Sequence, residues 1–298
     1  MRLSVDALVG DNVGNLLRNQ KAVWFNGLRN KWAGKWLETV PSYKKLMMPS
    51  KLYRACIRNR MFLKAEDYME NVHCTCASHT PLDKYGHHLI ACAKYGSKTK
   101  MHDDVKVELG YILRYAGKRI ELEPRNRFVR GGDGAPASYE DMNKRPDIAI
   151  RTQEGVLMEE LLDVTVVSTV HYAHGVLAHV NAEVCGVSAR HGHREKMIKY
   201  GALCAANDLG FTPIVFESNG YVHPDTVVFL QKLAKTASAM KRIDGETLMN
   251  YFMKLLSIRL QIGIAQSIVF KMSNILGQDL FDPAINDAAI LNDADPLI

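Results

Sequence analysis

The stretch KRPDIAIRTQEGVLMEELLDVTVVS, residues 144–168, contains two short apolar runs, each accompanied by an aspartate. Asp147 stands directly before the first run, Ile-Ala-Ile, and Asp163 lies inside the second, Leu-Leu-Asp-Val-Thr-Val-Val. Both runs are rich in aliphatic and β-branched residues, which favours β-strands. The second is nearly continuous, as is typical of a strand covered on both faces. The pattern predicts two adjacent strands, each bringing one acid.

An aspartate inside an apolar strand needs a positive partner, because burial of an ionised carboxylate costs several kcal/mol of hydration. Fifteen residues separate Asp147 from Asp163, and two such acids on adjacent strands indicate a shared divalent cation. Carboxylate oxygens are hard ligands, so Mg²⁺ or Mn²⁺ is the expected ion. The alternative is structural: Asp147 caps a turn after Pro146, and Asp163 pairs with Arg145 or a lysine.

The composition is that of a soluble globular protein. Of the 298 residues, 47% are apolar and 23% are charged, so disorder is not expected. The net charge of +6 is unevenly distributed: residues 14–64 carry twelve lysines and arginines, whereas residues 272–298 carry five aspartates and no basic residue. The basic end is therefore the expected contact for a polyanion, and the acidic end is expected to be a solvated tail.

The sequence shows no sign of a membrane segment. Its longest apolar run is shorter than the roughly 18 residues of a membrane span, and the N-terminus has no apolar signal core. An intracellular protein without a membrane partner is predicted, and in a eukaryotic cell the nucleus is the expected compartment.

The cysteines indicate a metal site. Six cysteines are too few for a disulfide scaffold in this length, and three lie within nineteen residues. Cys74 and Cys76 form a C-x-C pair, and His88 and Cys92 follow after a loop. Three sulfur ligands with one imidazole suit a closed tetrahedral Zn²⁺ site, hence a structural role. The alternative is buried free cysteines beside surface histidines. Three histidines compete with His88 for the fourth position: His73, His79 and His87.

Residues 13–38 are predicted to form an amphipathic helix, with Trp24, Trp32 and Trp36 on one side and basic residues on the other. Such a helix can lie on nucleic acid, but a tryptophan stripe packed on a core is the favoured interpretation. A second basic helix is predicted from Ser50.

Residues 98–117 repeat apolar side chains at three- and four-residue spacing, which predicts another helix. It carries His102 and Glu108. A lone helical histidine or glutamate is more often a surface residue, but Glu108 is a candidate third ligand for the cation.

The second half of the chain adds a helix that carries two lysines. Residues 188–208 are predicted to be helical, and Lys196 and Lys199 share one face because they are three apart. The remaining predicted elements are strands at 119–123 and 211–217, and a polar loop at 125–143 that is either disordered or a flap near substrate. Helices are predicted at 173–184 and 223–240, and residues 245–275 are predicted to form one long helix or a helix pair.

The motifs occur in a fixed order along the chain. They are C-x-C from Cys74, L-D-x-x-G-x-H-x-x-x-C from Leu82, H-D at His102, L-E-P from Leu122, R-P-D-I from Arg145, D-V-T-V from Asp163 and K-x-x-K-Y from Lys196. Each is weak alone. Their joint order resembles the restriction-endonuclease-like domain at the C-terminus of site-specific non-LTR retrotransposons, over roughly residues 36–230.

The resemblance implies an α/β fold with the αβββαβ core of the PD-(D/E)XK nucleases. It also implies a metal-dependent endonuclease that nicks target DNA, with Mg²⁺ on Asp147 and Asp163 and a zinc knuckle. The knuckle ligands would be Cys74, Cys76, His88 and Cys92. The corresponding segments are a basic helical region at 1–70, the knuckle at 71–97, the nuclease core at 98–240 and a C-terminal helical extension with an acidic tail at 241–298.

One position departs from the fold's usual motif. D/E-x-K places a lysine two residues after the second acid, where this chain has Thr165. Members of the retrotransposon group also lack this lysine and supply the catalytic amine from the following helix. The resemblance therefore implies that Lys196 or Lys199 supplies the amine in this chain, with Lys196 favoured. The alternatives are a catalytically inactive, domesticated nucleic-acid-binding protein, and a structural protein whose acids form only ion pairs. Homodimerisation is a further expectation for cutting both strands.

Overall fold

A small mixed sheet positions the two aspartates. The computed structural model describes residues 15–41, 46–66, 69–151, 159–170 and 185–277. Its strands are β1 (Ile120–Leu122), β2 (Ile148–Ile150), β3 (Glu160–Val167) and β4 (Gly210–Glu217), in the spatial order β1-β2-β3-β4. The β1–β2 and β2–β3 pairs are antiparallel, and β3–β4 is parallel.

Helices cover the sheet and extend from it. The α-helices are α1 (Asn15–Leu28), α2 (Ser50–Arg60), α3 (His87–Ala91), α4 (Ser97–Tyr115), α5 (Tyr139–Met142), α6 (Val187–Lys196), α7 (Ala202–Ala206), α8 (Pro224–Lys241) and α9 (Gly245–Leu276). A π-helical turn, Met197–Gly201, joins α6 to α7. The predicted mixed α/β class is confirmed. The predicted helix and strands follow in the expected order, with the short helix α5 inserted between β1 and β2. The helix predicted at 173–184 lies outside the described residues.

Successive residues of β3 point to opposite faces of the sheet, and each face packs against a different apolar cluster. Leu162 and Val164 belong to the main core with α4 and α9. Leu161, one residue out of phase, packs with Ala149 and Tyr200 in a smaller cluster on the other face. Both faces of the central strands are covered, as the nearly continuous apolar run predicts.

The longest helix, α9, lies at the centre of the main core. Its N-cap Asp244 accepts a hydrogen bond from the Thr247 amide, and it ends at Gly277, whose φ is +61°. At Gly263 a Cβ would lie 2.6 Å from Cγ of Met101, so the missing side chain permits close packing against α4. The helix is long and apolar enough to cross a membrane, but its apolar window is 94% buried within the protein, as in the core helix of a soluble protein.

The main core draws on all the predicted segments. It combines Trp36 and Leu52 from the N-terminal region, Leu89 from α3, Val164 from the sheet and Phe252 from α9. The C-terminal helix α9 therefore belongs to the same core as the sheet. Most of its surface is apolar, so it is stable only where other elements surround it.

The helix predicted over residues 13–38 is interrupted. α1 ends at Leu28, and a 3₁₀ turn at Lys35–Glu38 follows after a bend. Trp24, Trp32 and Trp36 are all buried, which agrees with the core interpretation of the tryptophan stripe.

Candidate active site and metal centre

The two aspartates flank the last residue pair of the β2–β3 pairing. The antiparallel register ends at Ile148 and Leu162, with Asp147 one residue before the first and Asp163 one residue after the second. The Asp147 amide donates to the Leu162 carbonyl at 3.0 Å. The charge of Asp147 also contributes to raising the pKa of Asp163, so the two carboxyl groups are electrostatically coupled.

The Asp147 carboxylate is held through one oxygen. Its Oδ2 accepts a hydrogen bond of 2.6 Å from the Val164 amide and lies 3.1 Å from Nε2 of His102. The same imidazole nitrogen is 3.0 Å from the Val164 carbonyl oxygen. The other carboxylate oxygen of Asp147, Oδ1, makes no hydrogen bond to any residue within the described ranges. It is therefore available to a ligand.

His102 is surrounded by acceptors. Nδ1 lies 3.1 Å from the Asp103 carboxylate, and Nε2 faces Asp147 and a carbonyl. Burial by itself would lower the pKa of His102, but the hydrogen bonds and charges of Asp147 and Asp103 outweigh it, and the pKa is raised. Because neither nitrogen faces a donor, the doubly protonated imidazolium fits this position best.

Asp163 is buried, with 3% of its surface exposed, and its Oδ2 lies 2.5 Å from Nζ of Lys196. The contact is an ion pair by distance, although Oδ2 receives no hydrogen bond of good angle from the described residues. Burial and Asp147 raise the pKa of Asp163, and Lys196 and Lys199 oppose them. The lysine partner expected in the structural alternative is thus present, as Lys196.

The two lysines stand on either side of the start of the π-helical turn. Lys196 is the last residue of α6, and Lys199 lies within the turn, its Nζ 4.6 Å from the centre of the Tyr200 ring. Burial lowers the pKa of Lys199, and the charges of Asp163 and Asp147 act in the opposite direction. Such turns occur frequently at functional sites. Here the turn brings both amines toward the aspartate pair.

Tyr200 connects this turn to the loop before β2. The side chain is fully buried, and its hydroxyl donates to the carbonyl of Arg145 at 2.9 Å. Phe128, from the loop predicted as a flap, packs on the Tyr200 ring. That loop is attached to α7, since the amides of Val129 and Arg130 both donate to Oδ1 of Asn207.

Glu108 is not brought to the aspartates. It is 2% exposed, and its Oε2 lies 3.0 Å from Nε of Arg259 on α9. Six residues after His102, it is turned about 120° around the helix and faces α9. Within the described ranges no third acidic, histidine or cysteine side chain joins Asp147 and Asp163 in a group whose ligand atoms all lie within 4.8 Å. The predicted ligand set is therefore corrected by removing Glu108.

The cysteine cluster is assembled by two short pieces of structure. An isolated bridge pairs His73 with Pro81, and the Cys74 amide donates to the Thr80 carbonyl at 2.9 Å. Asp83 then accepts hydrogen bonds from three amides at the start of α3. This loop and helix bring together Cys74, Cys76, His88 and Cys92.

The spacing within this cluster fits a tetrahedral ion. The four ligand atoms lie within 4.8 Å of one another, with 3.9 Å between the sulfurs of Cys74 and Cys92 and 3.6 Å between Cys76 Sγ and His88 Nε2. A tetrahedron with Zn–S bonds of about 2.3 Å has edges of about 3.8 Å. The cluster can therefore hold a metal such as zinc.

The competing histidines are excluded by their surroundings. His87 is buried among Trp24, Phe62 and Tyr85, and burial lowers its pKa to about 4. His73 and His79 stack on each other with ring centroids 5.3 Å apart. Only His88 joins the three cysteines in a group of described residues.

Lys271 of α9 lies beneath the cysteine cluster. It is fully buried, and its Nζ donates to the carbonyls of Leu89 and Cys92 at 2.6 and 2.5 Å. Burial lowers its pKa to about 8, and the neighbouring cysteine charges oppose this shift. No carboxylate of the described chain pairs with it. An ion bound by three thiolates and one neutral imidazole would carry a net charge of −1, which this ammonium complements.

Sequence reasoning underestimated His102 and missed Lys271. A single lysine in the apolar run Ser267–Ser273 was the available signal for the latter. His102 was marked by its place beside Asp103, but its contact with Asp147 spans 45 residues and depends on packing. Comparisons with protein-family models and with curated proteins found no match for this chain.

Proposed function

We propose that this chain is a metal-dependent DNA endonuclease of retrotransposon origin, with a PD-(D/E)XK core. The observation that carries the proposal is the placement of Asp147 and Asp163 beside the last pair of the β2–β3 register, where their charges interact and Lys196 contacts Asp163. The motif order and the helix and strand succession support it. Neither a lone acid nor a lone lysine would do so, because structural ion pairs are common.

The carboxylates suit a hard cation. Oδ1 of Asp147 makes no hydrogen bond to the described residues, and the charge of Asp147 acts on the Asp163 carboxyl. Two carboxylates without a third protein ligand are typical of Mg²⁺, which keeps several waters and also contacts phosphate oxygens. When bound, Mg²⁺ or Mn²⁺ would supply Lewis acidity and a more acidic water.

The chain's own residues account for positioning and charge. The Val164 amide and His102 fix the Asp147 carboxylate through Oδ2. Lys196 and Lys199 place positive charge beside the pair, where charge accumulates on a phosphate during hydrolysis. Lys196 is our choice for the catalytic amine because its Nζ already reaches Asp163.

The cysteine cluster is proposed as a structural zinc knuckle. All four coordination positions are filled by protein ligands, so no position remains for a substrate. The basic N-terminal region and the knuckle would contribute DNA binding.

Plasmid nicking in the presence of Mg²⁺ tests the proposal. The isosteric variants Asp147→Asn and Asp163→Asn should each lower nicking at least 100-fold while retaining DNA binding, because the charge that holds the cation is lost. Glu195→Gln, an exposed neighbour on α6, is the matched control and should nick normally. Nicking that survives either aspartate substitution would refute the site assignment.

One observation favours a second candidate, a catalytically inactive nucleic-acid-binding protein. His102 and Lys196 already provide each aspartate with a positive partner, so the fold does not require a metal at this position. Salt-dependent DNA or RNA binding without nicking, unchanged by either aspartate substitution, would support this candidate. If the chain neither binds nor nicks, the acids are structural.

A further inference from the structure

A second group of metal-ligand side chains lies where α6 meets the start of α8. His193 belongs to α6, His223 is the N-cap of α8, and Asp225 lies in the first turn of α8. One ligand atom from each lies within 4.8 Å of the other two. The group is made of residues other than the aspartate pair and the cysteine cluster.

The three side chains are already in contact. Nε2 of His193 lies 2.9 Å from Oδ2 of Asp225. The rings of His193 and His223 stack with centroids 4.2 Å apart and an interplanar angle of 12°. His223 Nδ1 accepts a hydrogen bond from the Asp225 amide at 3.2 Å. His223 is buried, and His193 has 19% of its side chain exposed, so both rings are largely shielded from water.

We propose that His193, His223 and Asp225 bind a divalent transition-metal ion of the zinc type. Two imidazoles and a carboxylate form a borderline ligand set that suits Zn²⁺ or Co²⁺ better than Mg²⁺. Three protein ligands leave a coordination position for water or a small ligand. His193 and Asp225 also line an open cavity of 470 Å³, which gives such a ligand room to enter.

Binding requires a local rearrangement. The lone pairs of an imidazole lie in the ring plane, so two parallel stacked rings cannot both point at one ion, and at least one ring must turn. Ligation by His223 also ends its hydrogen bond with the Asp225 amide, an N-cap contribution of about 1 kcal/mol. The positive end of α8 opposes a cation as well. The site is therefore weaker than the cysteine cluster.

An ion at this position would link α6 directly to the start of α8, both of which pack against β4. His193 is three residues before Lys196 on α6, and the other two ligands belong to α8. Occupancy would thus restrain the helix that carries the lysine contact to Asp163. This inference does not depend on nuclease activity.

Cobalt titration of the full chain separates the two kinds of site. Co²⁺ bound by thiolates shows a sulfur charge-transfer band, whereas Co²⁺ on nitrogen and oxygen ligands shows only weak visible bands. With excess Mg²⁺ present to occupy the Asp147 and Asp163 site, we expect two equivalents of Co²⁺ to bind, the first with the sulfur band and the second without it. Equilibrium dialysis with Zn²⁺ gives the stoichiometry independently.

His223→Asn is the decisive variant, because asparagine removes the imidazole but is itself a good N-cap. His223→Asn and Asp225→Asn should each lower the affinity for the second Co²⁺ equivalent at least tenfold and leave the affinity for the first unchanged. His191→Gln, an exposed histidine two residues from His193 on the same helix, is the control and should retain both. A single equivalent in the unmodified chain, or a second one unaffected by His223→Asn, would overturn the proposal.

Discussion

The buried pair between Glu108 and Arg259 yields the sharpest prediction, because it separates a structural glutamate from a metal ligand. Both side chains are almost fully buried, and a single contact of 3.0 Å joins Arg259 Nε to Glu108 Oε2. Oε1 of the glutamate and Nη2 of the arginine have no hydrogen-bond partner among the described residues. Among the described residues, the two buried charges therefore pair with each other through this one contact.

Glu108→Leu should lower the free energy of unfolding by about 3–5 kcal/mol. At 3.0 Å and an effective dielectric constant of about 20, the pair attraction is about 5 kcal/mol, and its loss leaves Arg259 buried and uncompensated. The double variant Glu108→Leu/Arg259→Met removes both charges, and its stability should return to within about 1 kcal/mol of the parent or exceed it.

Guanidinium unfolding, followed by tryptophan fluorescence with metal present, measures these changes. Nicking by the folded double variant provides the second readout, and it should remain at the parental rate because Glu108 faces α9. A double variant as unstable as Glu108→Leu would refute the charge-pair reasoning. A stable double variant without nicking would show that Glu108 acts at the site.

Three further predictions concern buried charges and glycine. Glu217 is buried, which raises its pKa from 4.5 to about 7. As the pH rises, the unfolded chain therefore loses this proton at a lower pH than the folded chain does. The free energy of unfolding should fall by about 3 kcal/mol between pH 4.5 and pH 7. Unfolding curves measured across this pH range should show that Glu217→Gln abolishes the fall. Lys271→Met should weaken Zn²⁺ binding 10–100-fold in chelator competition, whereas Lys98→Met, at an exposed lysine, should not. If Lys271→Met binds Zn²⁺ as tightly as the unmodified chain, Lys271 is not a counter-charge to the site. Gly186→Ala should lower the melting temperature, because φ is +77° and the new Cβ would lie 2.2 Å from Tyr221; an unchanged melting temperature would contradict this.

Several features were predictable from local patterns. The aliphatic runs at 148–150 and 160–167 determine strands, because side-chain alternation and β-branching act within a few residues. The spacing of Cys74, Cys76 and Cys92 determines which thiols can meet, because a tight loop and one short helix connect them. The interruption after Leu28 was not visible, since the tryptophan stripe continues across it.

The partners of the charged side chains were decided only by tertiary structure. His88 and His87 are adjacent in sequence, and the aromatic cluster around His87 is what separates them. Glu108 meets a residue 151 positions away, and Lys271 meets carbonyls 179 and 182 positions away. The sequence by itself determined the strands and the candidate ligands, because these depend on short-range periodicity and spacing. The packing of helices remote in sequence around the sheet decides whether an acidic side chain pairs with a lysine, pairs with an arginine or remains accessible to a ligand. Only the folded chain specifies that packing.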